Sequence, residues 1–466
     1  MANLPIYDKY KDSNVTWLGK IPAHWELRRA KYILRERDER WQDAKGNLLS
    51  VSQYTGVTNR RKKEGSKDPD TRAESLVGYK VAETNDLVVN IMLAWNGSLG
   101  VSSAQGVVSP AYCVYKFQDG VPWYYHNLLR CTQYRSEIKR RSRGVVESRL
   151  RIYSDDLFRL QLIKPSEEEQ TQIVRFLDWK TAQINKFIRN KRRLIELLKE
   201  QKQNIINQAV TRGLNPNVKL KPSGVEWIGD IPEHWDVRRI KTVTKILRGK
   251  FSHRPRNDAS LYDGIFPFIQ TGDVARAGKF IVGYKQTLNE KGFFVSKQFP
   301  KGTLTMTIAA NIGDVAILDF DACFPDSIVG FVPIKNVSLE FLYYTFTAMK
   351  KEFLKEAPVN TQGNLNVERI GAMSIPLPDY DTQWALVDNI EKSSAQIDQT
   401  IFRAEREIEL ISEYRTRLIS DVVTGKVDVR GIDVPDVAEE DILALDVDAA
   451  EPDDVIEDKE DMDNAG

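Results

Sequence analysis

Cysteine and histidine are scarce, three and four residues among 466. Cys113, Cys131 and Cys323 are odd in number and lack metal-ligand spacing, so they read as reduced thiols rather than a zinc site or disulfide framework. Glycine-rich nucleotide loops are missing as well. The stretch "LRGK" at 247–250 has neither the spacing nor the Ser/Thr of a phosphate-binding loop, and no G-x-G-x-x-G follows a strand-like run. The chain contains no Pro-Pro pair, which removes the Asn/Asp-Pro-Pro-aromatic tetrapeptide of amino-methyltransferases. With four histidines and no nucleophile elbow, a Ser/His/Asp assembly has little to stand on. No apolar run approaches the roughly 18 residues of a membrane span, and no signal-peptide core is visible. The expectation is a cytoplasmic protein whose own chain holds no metal, no cofactor and no catalytic residues.

What is present is ordinary in bulk and uneven in detail. Hydrophobic residues make up 41% and charged residues 29%, a globular composition with room for two or three domains. The net charge of +1 conceals a split: from Val434 onward there are 14 acidic residues against one lysine. The remaining body carries 66 basic and 52 acidic residues, or +14. A basic body suits a polyanionic partner. The acidic end, from about 429 to 466, reads as a disordered, solubilising tail.

A long phrase is written twice. "WLGKIPAHWELRR" begins at Trp17 and "WIGDIPEHWDVRR" at Trp227, an offset of 210 residues. A period that long marks domain duplication rather than a solenoid. Trp17, Trp25, Trp227 and Trp235 either pack inside or face a partner. His24 and His234 have no second ligand nearby and read as packed residues before metal ligands. A second phrase recurs: Pro165, Gln170, Ala182, Gln183 and Ile184 return as Pro378, Gln383, Ala395, Gln396 and Ile397.

Each second phrase opens a long polar helix. Ile184, Ile188, Ile195, Leu198 and Ile205 fall at alternating steps that match Ile397, Ile401, Ile408, Ile411 and Leu418, the narrow apolar seam of a coiled coil. Lys191, Lys202 and Arg415 interrupt the seam, either as snorkelling stems or as groups that fix register or lie near phosphate. Ser166 and Glu169 suit a capping box. Two such helices in one chain pair most simply about a pseudo-twofold axis, antiparallel, and form a ruler of about 1.5 Å per residue. The segments between, about 34–163 and 244–376, differ in letters but share a mixed α/β pattern.

Basic clusters lie in these variable segments. The first has Arg60, Arg61 and Lys62 in a polar loop, then Arg140, Arg141, Arg143, Arg149 and Arg151; the second has Arg254 and Arg256. Such residues suit phosphate contacts, although a charge run also suits a solvated face. Candidates for base edges are Ser52, Gln53 and Tyr54 in one half, and Gln270, Thr271, Asn311, Gln362 and Asn364 in the other. Turn chemistry explains these letters equally well.

The duplicated W-[LI]-G-x-I-P-x-H-W phrases, two variable segments and two "Q…AQI" helices over residues 14–428 resemble the specificity subunit of type I restriction-modification systems. The resemblance implies an α+β chain of two mixed α/β target-recognition domains separated by a long antiparallel two-helix coiled coil, in a pseudo-twofold internal repeat. Its parts would be domain one at 1–163, helix one at 164–213, domain two at 214–376, helix two at 377–428 and the tail at 429–466. It implies binding to a bipartite, asymmetric double-stranded DNA site, with two methyltransferase subunits and motor-nuclease subunits as partners. S-adenosylmethionine, ATP and magnesium would belong to those partners. A coiled-coil adaptor that binds only proteins, or a nuclease with a cryptic carboxylate site, are the alternatives.

Overall fold

Both long helices are present in the computed structural model, at Glu167–Arg212 (46 residues) and Tyr380–Val423 (44 residues). The structure describes residues 4–60, 73, 75–146, 150–253, 255–309, 311–357 and 365–436. Contacts divide the chain into two units, residues 1–192 with 405–466 and residues 193–404, so each unit owns part of both helices.

The helix ends follow from local chemistry. At the first start, Ser166 Oγ accepts the Glu169 backbone N–H at 3.3 Å, one half of a capping box. The other half is missing, because the Glu169 carboxylate accepts from Tyr7 Oη at 2.7 Å and lies 2.8 Å from His24 Nε2. At the second start, Asp379 Oδ1 accepts the Thr382 N–H at 3.0 Å. Both helices stop at a glycine in the left-handed region, Gly213 at φ +75° and Gly425 at φ +79°.

The seam positions are covered. In the first unit Ile184, Ile188 and Leu418 are buried and Ile408 and Ile411 half-buried; in the second Ile195 and Ile397 are buried and Leu198, Ile205 and Ile401 half-buried. The three interrupting cations all find polar partners on the other helix. In the first unit Lys191 Nζ reaches Glu407 at 2.6 Å and Arg415 Nη1 donates to Asn185 Oδ1 at 2.7 Å. Rising numbers on one helix meet falling numbers on the other, so these segments run antiparallel. In the second unit Lys202 Nζ donates to both Asp398 oxygens, at 2.6 and 2.7 Å.

The first unit is built on a four-stranded antiparallel sheet in the order 34–37, 112–117, 87–90, 99–101. Pro122–Arg130 and Thr132–Arg141 are its helices, as their apolar spacing predicts. The second unit has 244–248, 328–333, 304–307 and 315–318 in the corresponding order, extended by a parallel fifth strand at 280–281. A further sheet in that unit orders 286–288, 262–268, 322–323 and 298–299.

The repeated phrase has the same job in each unit. In the first, strand Glu26–Arg29 pairs with Gln161–Lys164, and in the second, Asp236–Arg239 pairs with Ser374–Leu377. Trp25 and Trp235 are fully buried, whereas Trp17 and Trp227 are half-buried. Each buried Trp receives a helix end: a Cβ added to Gly425 would sit 2.5 Å from Pro22 Cδ and 2.8 Å from Trp25 Cζ3, and one added to Gly213 would sit 3.3 Å from Trp235 Cζ2. The Ile-Pro-x-His-Trp phrase is therefore a seat for the glycine that ends a long helix.

One boundary moves. Sequence patterning places 429 onward in a solvated tail, but Val429 is fully buried and Val434 nearly so in the first unit's core. Apolar Val427, Val429, Ile432 and Val434 give this stretch something to bury before the acidic run begins. Residues 437–466 lie outside the described residues.

Candidate nucleic-acid interface

Ser52, Gln53 and Tyr54 form the tip of a hairpin. Strands Leu49–Ser52 and Gly56–Asn59 pair with Ser52 opposite Gly56, leaving Gln53, Tyr54 and Thr55 as the connection. Ser52 Oγ accepts the Tyr54 N–H at 3.1 Å, and Gly56 takes φ +80° as three-residue hairpins commonly require. Tyr54 is 44% exposed. Arg60 follows the hairpin, half-buried, its N–H bonded to Leu48 O at 2.8 Å. Arg61 and Lys62 lie outside the described residues.

The hairpin rests on residues that sequence reasoning did not single out. Arg130, the last residue of helix Pro122–Arg130, donates from Nη1 to Ser52 O (3.3 Å), Gly97 O (2.9 Å) and Leu99 O (2.7 Å). Its Nη2 donates to Gln53 O (3.0 Å) and Tyr54 O (2.8 Å). Burial, helped by neighbouring Arg135, lowers its pKa to about 10, which leaves it charged at neutral pH. Burial, and then Arg130, keeps His126 well below the usual histidine range; its Nδ1 accepts the Val101 N–H at 3.1 Å. The neutral ring therefore adds no second charge beside the guanidinium. Lys139 Nζ stands 4.9 Å from the centroid of the Trp95 ring.

The cluster from 139 to 151 is less free than its letters imply. Arg140 Nε and Nη2 donate to Glu137 Oε2 and Oε1, each at 2.7 Å, and Arg141 Nε donates to Glu137 Oε1 at 2.6 Å. Burial opposes ionisation of Glu137, but these hydrogen bonds together outweigh it and hold the carboxyl below its usual range. Arg143 pairs with Asp156 at 2.8 Å and exchanges backbone hydrogen bonds with Arg151, which is exposed. Arg149 lies outside the described residues. Arg140 and Arg143 remain 67% and 62% exposed, so they keep donors for an anion; Arg141, at 24%, is mostly covered.

In the second unit Gln270 caps the helix Thr271–Arg276 through a reciprocal box with Asp273, and its amide donates to Gln286 at 2.9 Å. Thr271 opens that helix. Asn311 is exposed with φ +52°, a tight-turn conformation. Arg256 is ion-paired with Asp326. Arg254, Gln362 and Asn364 lie outside the described residues. Thus the structure joins Ser52, Gln53 and Tyr54 in one tip and Gln270 with Thr271 at one helix start.

Residues 232–409 fit the family model described as the type I restriction modification DNA specificity domain. A curated relative, the type I restriction enzyme MjaX specificity subunit of Methanocaldococcus jannaschii, is 23% identical over 457 residues, covering 90% of this chain and 98% of its own. The MjaVIII specificity subunit of the same organism is 24% identical over 371 residues, covering 74% and 82%. A chain solved in work on complex assembly and conformational transition of the type I R-M system superposes with a TM-score of 0.62. It has 14% identity and covers 87% of this chain and 99% of its own. Over most of its length this chain is similar to type I restriction-modification specificity subunits. Among the described residues no group of three His, Cys, Asp or Glu could hold a metal ion, and no helix is long and apolar enough to cross a membrane.

Proposed function

We propose that this chain is a specificity subunit that reads a bipartite, asymmetric double-stranded DNA site, one half-site with each target-recognition domain, 1–163 and 214–376. The observation that carries this reading is the shared strand order of the two sheets beneath unlike loops. A common scaffold with different surface letters is what two readers of different half-sites need. The helical stretches 164–213 and 377–428 serve as an antiparallel coiled-coil spacer, a reading supported by the cross-helix pairs Lys191–Glu407 and Lys202–Asp398. Their length then sets the unread gap between half-sites.

In this reading the chain works in the cytoplasm and carries out no chemistry itself. It positions two methyltransferase subunits and the motor-nuclease subunits on DNA, and S-adenosylmethionine, ATP and magnesium are bound by those partners. Phosphate contacts from the exposed arginines orient the protein, and polar side chains at the hairpin tip and helix start read base edges.

The test is a methylation-site map from cells carrying the chain and its modification partners, with and without exchange of residues 34–163 for the same segment of a relative. One half-site should change while the other stays. If both change together, or if the purified chain turns over S-adenosylmethionine by itself, the reading is wrong.

A further inference from the structure

The conformation of the tip at 52–54 depends on one side chain far away in sequence. The five donor contacts of Arg130 all end on backbone carbonyls: Ser52, Gln53 and Tyr54 of the tip, and Gly97 and Leu99 of the adjoining strand edge. No carboxylate among the described residues pairs with this guanidinium. Its positive charge is met by carbonyl dipoles alone, and those dipoles are thereby turned inward. The Gln53 side chain is half-buried with no hydrogen-bond partner among the described residues, and Tyr54 is 44% exposed, which leaves polar groups at the tip for a ligand.

The seat beneath the tip is closely fitted. A Cβ on Gly56 would lie 2.9 Å from His126 Cε1 and 3.3 Å from Arg130 Nη1, and one on Gly100 would lie 3.1 Å from the Gly56 Cα. Only bare backbone fits at these two positions, which lets the tip descend onto the guanidinium. Neutral His126 fills the remaining side and ties the seat to Val101. Helix, strand edge and hairpin thus meet at one planar cation, which can serve five acceptors because its donors form a fixed fork.

We propose that Arg130 is a specificity-positioning residue: it locks the 52–56 tip so that Gln53 and Tyr54 meet the base edges of the half-site read by this domain, without touching DNA itself. The proposal rests on the bipartite reading above. It separates two roles within one domain, since the exposed cations hold phosphates whatever the sequence while Arg130 acts only on discrimination.

The test uses the full chain and duplexes carrying the mapped bipartite site, or that site with one half, the other half or both scrambled. Arg130→Lys keeps the charge but cannot serve five carbonyls. The expected result is that discrimination at one half-site falls about 10- to 100-fold, the worth of one or two lost base contacts. Affinity for the doubly scrambled duplex, its salt slope and discrimination at the other half-site should stay at the parent level. Hydrogen exchange should speed up at the amides of 49–59 alone. Gln53→Ala, which leaves the seat intact, should lose discrimination at the same half-site without that faster exchange.

Parent-level discrimination by Arg130→Lys overturns the proposal. So does an equal fall on every duplex, or a loss at both half-sites, because a general folding role would produce either. If the parent chain itself ignores both scrambled halves, it is the bipartite reading that fails.

Discussion

Replacing Arg140, Arg141 and Arg143 together by Gln separates orientation on DNA from reading of DNA. The three are not equivalent. Arg141 is 24% exposed and turned onto Glu137, whereas Arg140 and Arg143 are 67% and 62% exposed. Two phosphate contacts, rather than three, are therefore at stake. Each released contact is worth about 0.9 in the slope of log affinity against log salt, so the slope should fall by about 1.8. Over a threefold range of salt that amounts to about sevenfold in affinity. Titrations at several salt concentrations, on a cognate duplex and on a scrambled one, should show the same change on both.

The variant also has a structural consequence that must be separated from binding. Glu137 has a side chain 1% exposed, and its hydrogen-bond partners are Arg140 and Arg141. Without them a buried carboxylate is stranded, at a cost of about 1–3 kcal/mol. Adding Glu137→Gln to the triple variant should recover most of that stability and leave the reduced slope unchanged. Because the folded pKa of Glu137 is depressed, its stabilisation is complete above the ordinary value near 4.5 and is lost as pH falls through the lower folded value. The parent should thus lose stability at acid pH more steeply than the quadruple variant. A loss confined to one base position, with the slope unchanged, would refute the phosphate role and make these arginines readers.

Burial raises the Asp178 pKa to about 6, so its charged form is penalised in the folded state above that pH and the penalty vanishes below the ordinary value near 3.8. Asp178→Asn should therefore stabilise the first unit by up to about 3 kcal/mol at pH 8 and by almost nothing at pH 3.5, as read by chemical denaturation. Gly425→Ala should destabilise its unit by about 2–4 kcal/mol and Gly213→Ala by about 1 kcal/mol, because both lose a left-handed φ but only the first drives a Cβ into Pro22; equal losses in unfolding experiments would undo the seat described here. Inserting four residues near Gln201 adds about 6 Å of helix and should lengthen the unread gap by one or two base pairs while both half-sites persist. An unchanged gap in the methylation map, with efficient modification, would show that helix length is not the ruler.

How much of this was legible in the letters depends on where the partner of each residue lies. The long helices were readable because their apolar residues repeat locally, and the seam positions Ile184 to Leu418 are indeed covered or half-covered. The doubled Ile-Pro-x-His-Trp phrase announced a shared role, yet the role itself was hidden, since Gly425 lies about 400 residues from Trp25. Glu169 shows how tertiary packing overrides a local pattern: its spacing from Ser166 fits a capping box, but the carboxylate is drawn to Tyr7 and His24 once the first residues fold over the helix start. In the run 139–151 the cations were plain and their neutralisation was not, although Glu137 stands at the i,i+3 and i,i+4 positions that allow it. Arg130 left no trace in sequence because its partners are backbone carbonyls, which every residue has. A cation at a helix C-terminus reads as a dipole partner and nothing more. That limit has a consequence for how such a domain changes its target. On the proposed reading, the letters that would meet DNA and the letter that would aim them lie some 77 residues apart, so substitution at the tip alone should alter reading while the seat keeps its geometry.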